Sequence, residues 1–362
     1  MWLCALACSP LLAACTLTHK QDADNTFKKP LIWPQPPDQP RFAFEVVLHF
    51  VADIATPESD KGKLLHELSG TAAGLNVPIF KEPSAIVVRN GNIYVTDTGT
   101  NSIVVIDIPR RKLYRFGLRQ PGALSKPAGL ALDAEMNVYV ADTKQRQVLV
   151  YDSLGLFQRV VGSPDDLERP TGVAVSRDGE RIYVVDRSAN QSNHHQVVVY
   201  GKDGKKIKVI GNRGGGEGQF NLPLQGAVAP DGTLYVLDSG NFRVQAFDRD
   251  GNFLSAFGSL GANPGNLVRP RGIAVDDEGH IYVSDASLSN FKIFNPDGQL
   301  LLVVGDVGGL PGRYSPLNGL LSGIAVDETG RVYVVDYWNN KVDVFRRLSD
   351  SEGQKMLQEA GM

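Results

Sequence analysis

Beyond Arg41 the chain runs in short stretches of alternating apolar and polar residues, punctuated by Gly, Asn, Asp and Pro. Apolar spacing of helical period is scarce there. Such a pattern predicts many short strands joined by tight turns. One stretch recurs six times: Ile93–Asp97, Val138–Asp142, Ile182–Asp186, Leu234–Asp238, Ile281–Asp285 and Val332–Asp336. Each is an aliphatic residue, Tyr, Val, a variable residue and Asp. Successive aspartates lie 45, 44, 52, 47 and 51 residues apart, a period typical of propeller blades or solenoid arrays.

Every copy has the same surroundings. A proline-containing loop leads into a short strand of small and apolar residues, as in Gly129–Leu132, Gly172–Val175, Gly272–Val275 and Gly323–Val326, with Ala85–Val88 and Gly226–Ala229 as variants. Alternating Gly and Ala suits strands crowded around an axis. Turn residues follow, among them Asn90-Gly91, Asp178-Gly179 and Asp231-Gly232, whose glycines supply the positive φ of tight hairpins. After the Tyr strand come a third strand (Val148–Tyr151, Val244–Phe247) and a fourth ending in glycine (Gly162, Gly211, Gly258, Gly305). Four strands in each repeat make a propeller blade rather than a helical solenoid unit. The expected fold is therefore all-β, a six-bladed β-propeller of four-stranded antiparallel blades.

Blade 6 stops after Val342–Phe345, and the tail 349–362 is polar. At the other end, Arg41–Phe50 is a β-rich run with no partner in its own neighbourhood. It is expected to supply the missing strand of blade 6, which closes the ring and removes an edge open to aggregation. The propeller is thus assigned to residues 41–348.

The Pro-x-Gly-Ile-Ala-Val-Asp strand (Pro270–Asp276), the Ile-Tyr-Val-x-Asp strand and the Asn-x-x-Val-x-Val-Phe third strand (Asn339–Phe345) together resemble NHL repeats of the TolB-like six-bladed class. The resemblance spans about Glu82 to Phe345, and it implies a rigid scaffold for protein or ligand binding. Similar propellers also serve as enzymes: peptidyl-hydroxyglycine amidating lyases hold zinc with three axial histidines, and gluconolactonase-like hydrolases use a metal bound by Glu, Asn and Asp. This chain offers neither set in an assignable form. A scaffold is accordingly expected ahead of a metal-dependent lyase or hydrolase.

All three cysteines, Cys4, Cys8 and Cys15, lie near the start, so disulfides and cysteine metal sites are excluded from the folded body. Leu12-Ala13-Ala14-Cys15 follows an apolar run and resembles the lipobox of bacterial lipoproteins, although the first residues carry no Lys or Arg. Residues 1–14 are read as a signal peptide and Cys15 as the lipidated residue. Thr16, in place of the aspartate associated with inner-membrane retention, favours the outer membrane. Residues 15–40 are polar and then proline-rich. Such a spacer rises about 3.1 Å per residue where it adopts polyproline geometry. No later segment is apolar for long enough to span a bilayer. A net charge of −3 and a pI near 6.1 give no pull towards nucleic acid.

The turns between second and third strands and the blade-to-blade crossings share one face, where the long irregular segments fall: 51–81 (with a helix expected over 58–68), 187–195 and 306–318. Function on scaffold folds concentrates in such loops. Lys126, Arg169, Arg269 and Arg271 flank the crossing prolines, Arg187, His194 and His195 sit in the blade 3 turn, and Tyr337 and Trp338 in the blade 6 turn. These residues form the expected docking surface of a monomer for an envelope protein or an anionic ligand. His194-His195 lacks a third metal ligand and is read as a solvated polar loop. The six aligned aspartates are read as hydrogen-bonding to turn backbones rather than to calcium. Gly211–Gly218 lacks the Lys-Ser/Thr of a phosphate loop, and neither Gly-x-Ser-x-Gly nor His-Glu-x-x-His occurs. No catalytic residue, metal or cofactor is assigned.

Overall fold

β-Branched and aromatic residues dominate the repeated segments, and they fit the half-buried pleated surface of stacked sheets. The computed structural model describes residues 31–54, 76–189, 192–305 and 319–359. Two strands precede the repeats, β1 (Ile32–Trp33) and β2 (Phe42–Leu48). Blade 1 comprises β3 (Pro83–Arg89), β4 (Asn92–Asp97), β5 (Ser102–Asp107) and β6 (Lys112–Phe116). Blade 2 comprises β7 (Pro127–Leu132), β8 (Val138–Asp142), β9 (Gln147–Tyr151) and β10 (Phe157–Val161). Blade 3 comprises β11 (Pro170–Val175), β12 (Arg181–Arg187), β13 (His195–Gly201) and β14 (Lys206–Ile210). Blade 4 comprises β15 (Gly226–Val228), β16 (Leu234–Asp238), β17 (Arg243–Phe247) and β18 (Phe253–Phe257). Blade 5 comprises β19 (Pro270–Val275), β20 (Ile281–Asp285), β21 (Asn290–Phe294) and β22 (Leu300–Gly305). Blade 6 contributes β23 (Leu321–Val326), β24 (Val332–Asp336) and β25 (Lys341–Arg347).

Each of the first five blades is a four-stranded antiparallel sheet. The sixth has the order β1-β2-β25-β24-β23. β2 pairs antiparallel with β25, with Phe44 opposite Phe345 and Leu48 opposite Val342, so the ring closes as the orphan run predicts. Phe345 is fully buried. It meets Trp33, Phe44 and Phe291 edge-on at centroid distances of 5.5, 5.7 and 5.3 Å. Such edge-to-face contacts add to area burial. The seam thus joins the first strands, blade 6 and blade 5 through one ring.

One expectation at the ends needs correction. The spacer does not run to Pro40, because Ile32 and Trp33 pair with β2 as a fifth strand and the Trp33 Nε1–H donates to the Gly305 carbonyl at 3.0 Å. The polar tail adds no strand, and Asp350–Glu359 forms a helix, α1, whose partly buried Met356 packs against Ile32, Ala43 and Leu348. The expected helix at 58–68, the crossing 306–318 and Cys15 lie outside the described residues.

The core is a series of layers between neighbouring blades. Tyr139, Val148 and Val150 of blade 2, for example, pack on Val173, Ile182 and Val184 of blade 3. Glycines on the innermost strands allow the blades to meet. A Cβ at Gly129 would fall 2.7 Å from the Gly172 Cα, and one at Gly272 would fall 2.6 Å from the Ser322 carbonyl oxygen. Several buried tyrosines find partners for their hydroxyls. Tyr139, Tyr282 and Tyr333 donate to Asp133, Asp276 and Asp327 at 3.0, 2.9 and 2.9 Å.

Phe345→Ala should destabilise the propeller by about 3–5 kcal/mol, the usual cost of deleting a buried aromatic ring. A urea midpoint unchanged from wild type would show that the closing seam carries no stability.

Candidate functional site

The aspartate that ends each second strand organises the loop face. All six, Asp97, Asp142, Asp186, Asp238, Asp285 and Asp336, are shielded from solvent. Asp142 accepts from the backbone N–H of Ser125 and Lys126 in the crossing before its blade, and from Lys144 and Gln145 in the turn after it, at 2.6–3.1 Å. Asp285 does the same with Val268, Arg269, Ser287 and Leu288. Asp97 binds Lys81, Glu82 and Gly99, and Asp186 binds Glu168 and Arg169. Asp238 takes Asn221 N–H together with the Asn241 and Arg243 side chains, and Asp336 takes Trp338 and Asn339. The residue after the aspartate ties the loop again, as where Arg187 N–H donates to the Arg169 carbonyl at 3.1 Å. Crossing and turn are thereby welded at every blade. Burial raises the pKa of Asp186 and of Asp238, and their hydrogen bonds oppose the rise.

The weld fixes the basic residues. Arg169 and Arg269 immediately precede the first residue of an innermost strand, Arg271 is the second residue of β19, and Arg187 follows the blade 3 aspartate. Burial lowers the Arg187 pKa, and the charge of Arg169 adds to the effect. Burial likewise lowers that of Arg271, assisted by Arg269 and by Arg187. Arg187 and Arg271 thus sense each other's charge although blade 4 separates their blades. Among the described residues none of Arg169, Arg187, Arg269 and Arg271 has a carboxylate partner, and Arg187 Nε is buried without a hydrogen bond.

His194 and His195 part company. His194 is exposed, and its Nδ1 lies 2.6 Å from Glu168 Oε1. Burial pushes the Glu168 pKa up, but hydrogen bonds from Ser188, His194 and Ser192 outweigh it and hold the group below its ordinary range. His195 is not solvated as expected. It opens β13 directly opposite Arg187, is 0 % exposed, and has neither ring nitrogen hydrogen-bonded. Burial, Arg213 and Arg187 all lower its pKa, so the ring is held neutral. Arg213 joins the cluster without having stood out in the sequence. Its loop returns to the blade 3 turn through Arg213 N–H to the Asn193 carbonyl at 3.1 Å, a contact between segments with no shared motif.

Lys126, Tyr337 and Trp338 are on the same loop face but outside this cluster. Lys126 serves the Asp142 weld through its backbone, Tyr337 N–H donates to the Leu320 carbonyl, and the Trp338 side chain is 75 % exposed. The axial channel encloses about 200 Å³ and is lined by the innermost strands. Its described lining is apolar apart from Arg89 and Gln225 and contains no carboxylate or imidazole. The one grouping of metal-ligand type among the described residues, Asp276, Glu278 and His280, is at the hairpin after β19. Asp276 is already committed there to the backbone of Glu278 and His280, the His280 ring and the Tyr282 hydroxyl.

Five four-stranded blades and a sixth of five strands, with a welded loop face and a narrow apolar axis, define a β-propeller built from repeats. The NHL repeat family matches residues 80–106, 167–200, 267–294 and 320–345, which are blades 1, 3, 5 and 6, and the chain is an NHL-repeat six-bladed propeller. Blades 2 and 4 have the same build. Protein brain tumor of Drosophila melanogaster is 30% identical over 104 residues, which cover 28% of this chain and 10% of that protein's length. Among solved structures, a gluconolactonase from Xanthomonas campestris is similar at 20% identity and TM-score 0.56, with 74% of this chain and 87% of that one covered. Virginiamycin B lyase from Staphylococcus aureus follows at 15% identity and TM-score 0.52, with coverage of 75% and 86%. An auxiliary nutrient binding protein from Bacteroides thetaiotaomicron has 13% identity and TM-score 0.57, with coverage of 74% and 69%. At these identities the likeness is one of fold, and fold does not fix function.

His195 sets a pH dependence. Its folded-state pKa lies below the unfolded value, so the unfolded chain takes up the proton first and stability falls as pH drops through about 6.5 and below. His195→Leu should flatten the decline in thermal midpoint between pH 7 and 5. An equally steep decline in the variant would place the titrating group elsewhere.

Proposed function

We propose that this chain is an NHL-repeat lipoprotein of the cell envelope, anchored through Cys15 and holding its loop face towards a partner protein. The scaffold reading rests on one observation above all. The aspartate welds make a rigid ring of loops, and that ring presents arginines with no acid partner among the described residues, together with an exposed Trp338. Rigid loops bearing charge and an aromatic anchor suit recognition, since little ordering entropy is lost on docking. The anchor reading rests on Leu12-Ala13-Ala14-Cys15, and Thr16 supports the outer membrane as its destination. Among the described residues no helix is long and apolar enough to cross a membrane.

A second reading, a metal-dependent lyase or hydrolase, is favoured by the similarity of fold to a gluconolactonase and to virginiamycin B lyase. The apolar axial lining weighs against it, because a metal there would need acid or imidazole ligands. Elemental analysis of the purified protein separates the two: stoichiometric zinc or calcium, lost on chelation together with an activity, would favour the enzyme.

Cys15→Ala should shift the protein from the membrane pellet to the soluble fraction and abolish incorporation of labelled palmitate. Retention of both in the variant would remove the anchor. In detergent-solubilised envelopes, Arg169→Glu with Arg269→Glu should reduce co-purification of the partner at least tenfold. Undiminished recovery would move docking to another face.

A further inference from the structure

The axial end of the loop face gathers more positive charge than the fold requires. Arg169, Arg187 and Arg213 come from blade 3 and the loop that follows it, and Arg269 and Arg271 from blade 5. None has a carboxylate partner among the described residues, and the nearby acid, Glu168, is taken up by His194. At two of these positions, those of Arg187 and Arg271, the other blades are neutral. Where blade 3 has Arg187 after its aspartate, the other blades have Thr98, Thr143, Ser239, Ala286 and Tyr337, and the hydroxyls of Thr143 and Ser239 simply cap the Pro170 and Pro270 carbonyls. Where blade 5 has Arg271, blades 1, 2, 3 and 6 have Ser84, Ala128, Thr171 and Ser322. The two departures arise on blades that are not neighbours, yet both stand at the loop-face ends of their strands. Arg271 precedes Gly272, which packs on the next blade, and Arg187 is tied by its N–H to Arg169, just before the start of an innermost strand. Behind them lies His195, fully buried, directly cross-strand from Arg187, with two idle ring nitrogens.

Unpaired buried polar groups and clustered like charges both cost stability. A ring whose other blades fill these positions with neutral residues has no structural need of them. We propose that the loop-face end of the axial channel is an oxyanion-binding site, in which Arg187 and Arg271 grip a carboxylate or phosphate group over His195. Guanidinium forks match both anions in bidentate geometry. Arg169, Arg213 and Arg269 add enough charge to favour a multiply charged ligand over chloride. This inference rests on the reading of the loop face as the binding face, and it specifies the chemistry taken there. The anion has two possible sources, a free polyanion or the acidic side chains of a docked protein.

The test uses the purified full chain at constant ionic strength. Titration calorimetry with inorganic phosphate, citrate and a pentaglutamate peptide should give saturable binding at one site per chain for at least one of them. Arg187→Gln and Arg271→Gln should each weaken it at least tenfold, while Lys202→Gln on the opposite hairpin face leaves it unchanged. Tightest binding of citrate or phosphate identifies a free anion, and tightest binding of the peptide identifies an acidic partner; either supports the site. Each arginine variant should also melt above wild type in anion-free buffer, because repulsion is relieved, yet gain less on addition of the bound anion. That readout shows that a variant with lost binding is folded. Heat signals that follow ionic strength rather than anion identity, or affinities untouched by both substitutions, would overturn the proposal. Partner capture from envelopes is a separate measurement, so docking can fail while the anion site stands, and the reverse.

Discussion

A propeller has to solve one problem at every blade: a long irregular crossing must be brought back to the axis and fixed there without a sheet of its own. Here a single buried carboxylate does this six times. Asp97, Asp142 and Asp285 accept from N–H groups of both the crossing before the blade and the turn after it, so two segments far apart in sequence share one carboxylate. The other three hold one of the two segments by its N–H groups. Hydrogen bonds to an ionised acceptor are about twice as strong as neutral ones, and in a dry setting they hold the loops closely. The position of each innermost strand, the approach of its glycine to the next blade and the placement of every loop-face side chain all follow from that anchor.

The fold was legible because its determinants are local and repeated. A five-residue strand in register, glycine where a Cβ would strike the next blade, and an unpaired strand at each end together specify a closed ring. What was not legible depends on contacts between repeats. Val104, Leu149 and Val198 occupy the middle of the third strand in the first three blades, and their register equivalents in blades 4 to 6 are Gln245, Lys292 and Asp343, all buried. Alternation alone would send such residues to solvent. Gln245 is instead satisfied by Gln219 and Gly218. Asp343 Oδ1 accepts from Lys341 at 2.8 Å while its Oδ2 stays unpartnered among the described residues, with burial pushing the Asp343 pKa up to about 7. In the same way, His195 follows an exposed histidine in a polar stretch, and only the pairing of β12 with β13 carries it into the interior.

The candidate site was half visible. The prolines located Arg169, Arg269 and Arg271 at the crossings, and the sequence grouped them with Lys126, Tyr337 and Trp338 because all belong to loops on one face. The structure gives that face a finer grain. Arg169 and Arg269 bear electrostatically on Arg187 and Arg271, and Arg187 and Arg213 bear on His195, whereas the Trp338 side chain stands out into solvent. The distinction arises from contacts between separate segments, such as Arg187 opposite His195, which no single repeat encodes.

Stability and recognition are in tension at this face, and the geometry shows how the chain accommodates both. Clustered arginines and an unpartnered buried histidine would distort a loose loop until each group found water or an acid. Here they cannot relax so far, because Arg169 and Arg187 are held by the Asp186 weld and Arg269 by Asp285, while Arg271 sits on an innermost strand packed on both sides. The strain is therefore kept in the site rather than dispersed through the ring. A frame that tolerates unpaired charge presents it already ordered, and an incoming anion meets guanidinium groups whose positions have been fixed by folding. On this view the six aspartates serve recognition as much as architecture: they supply the negative charge that the loops need internally, and leave the arginines above them free to face outward.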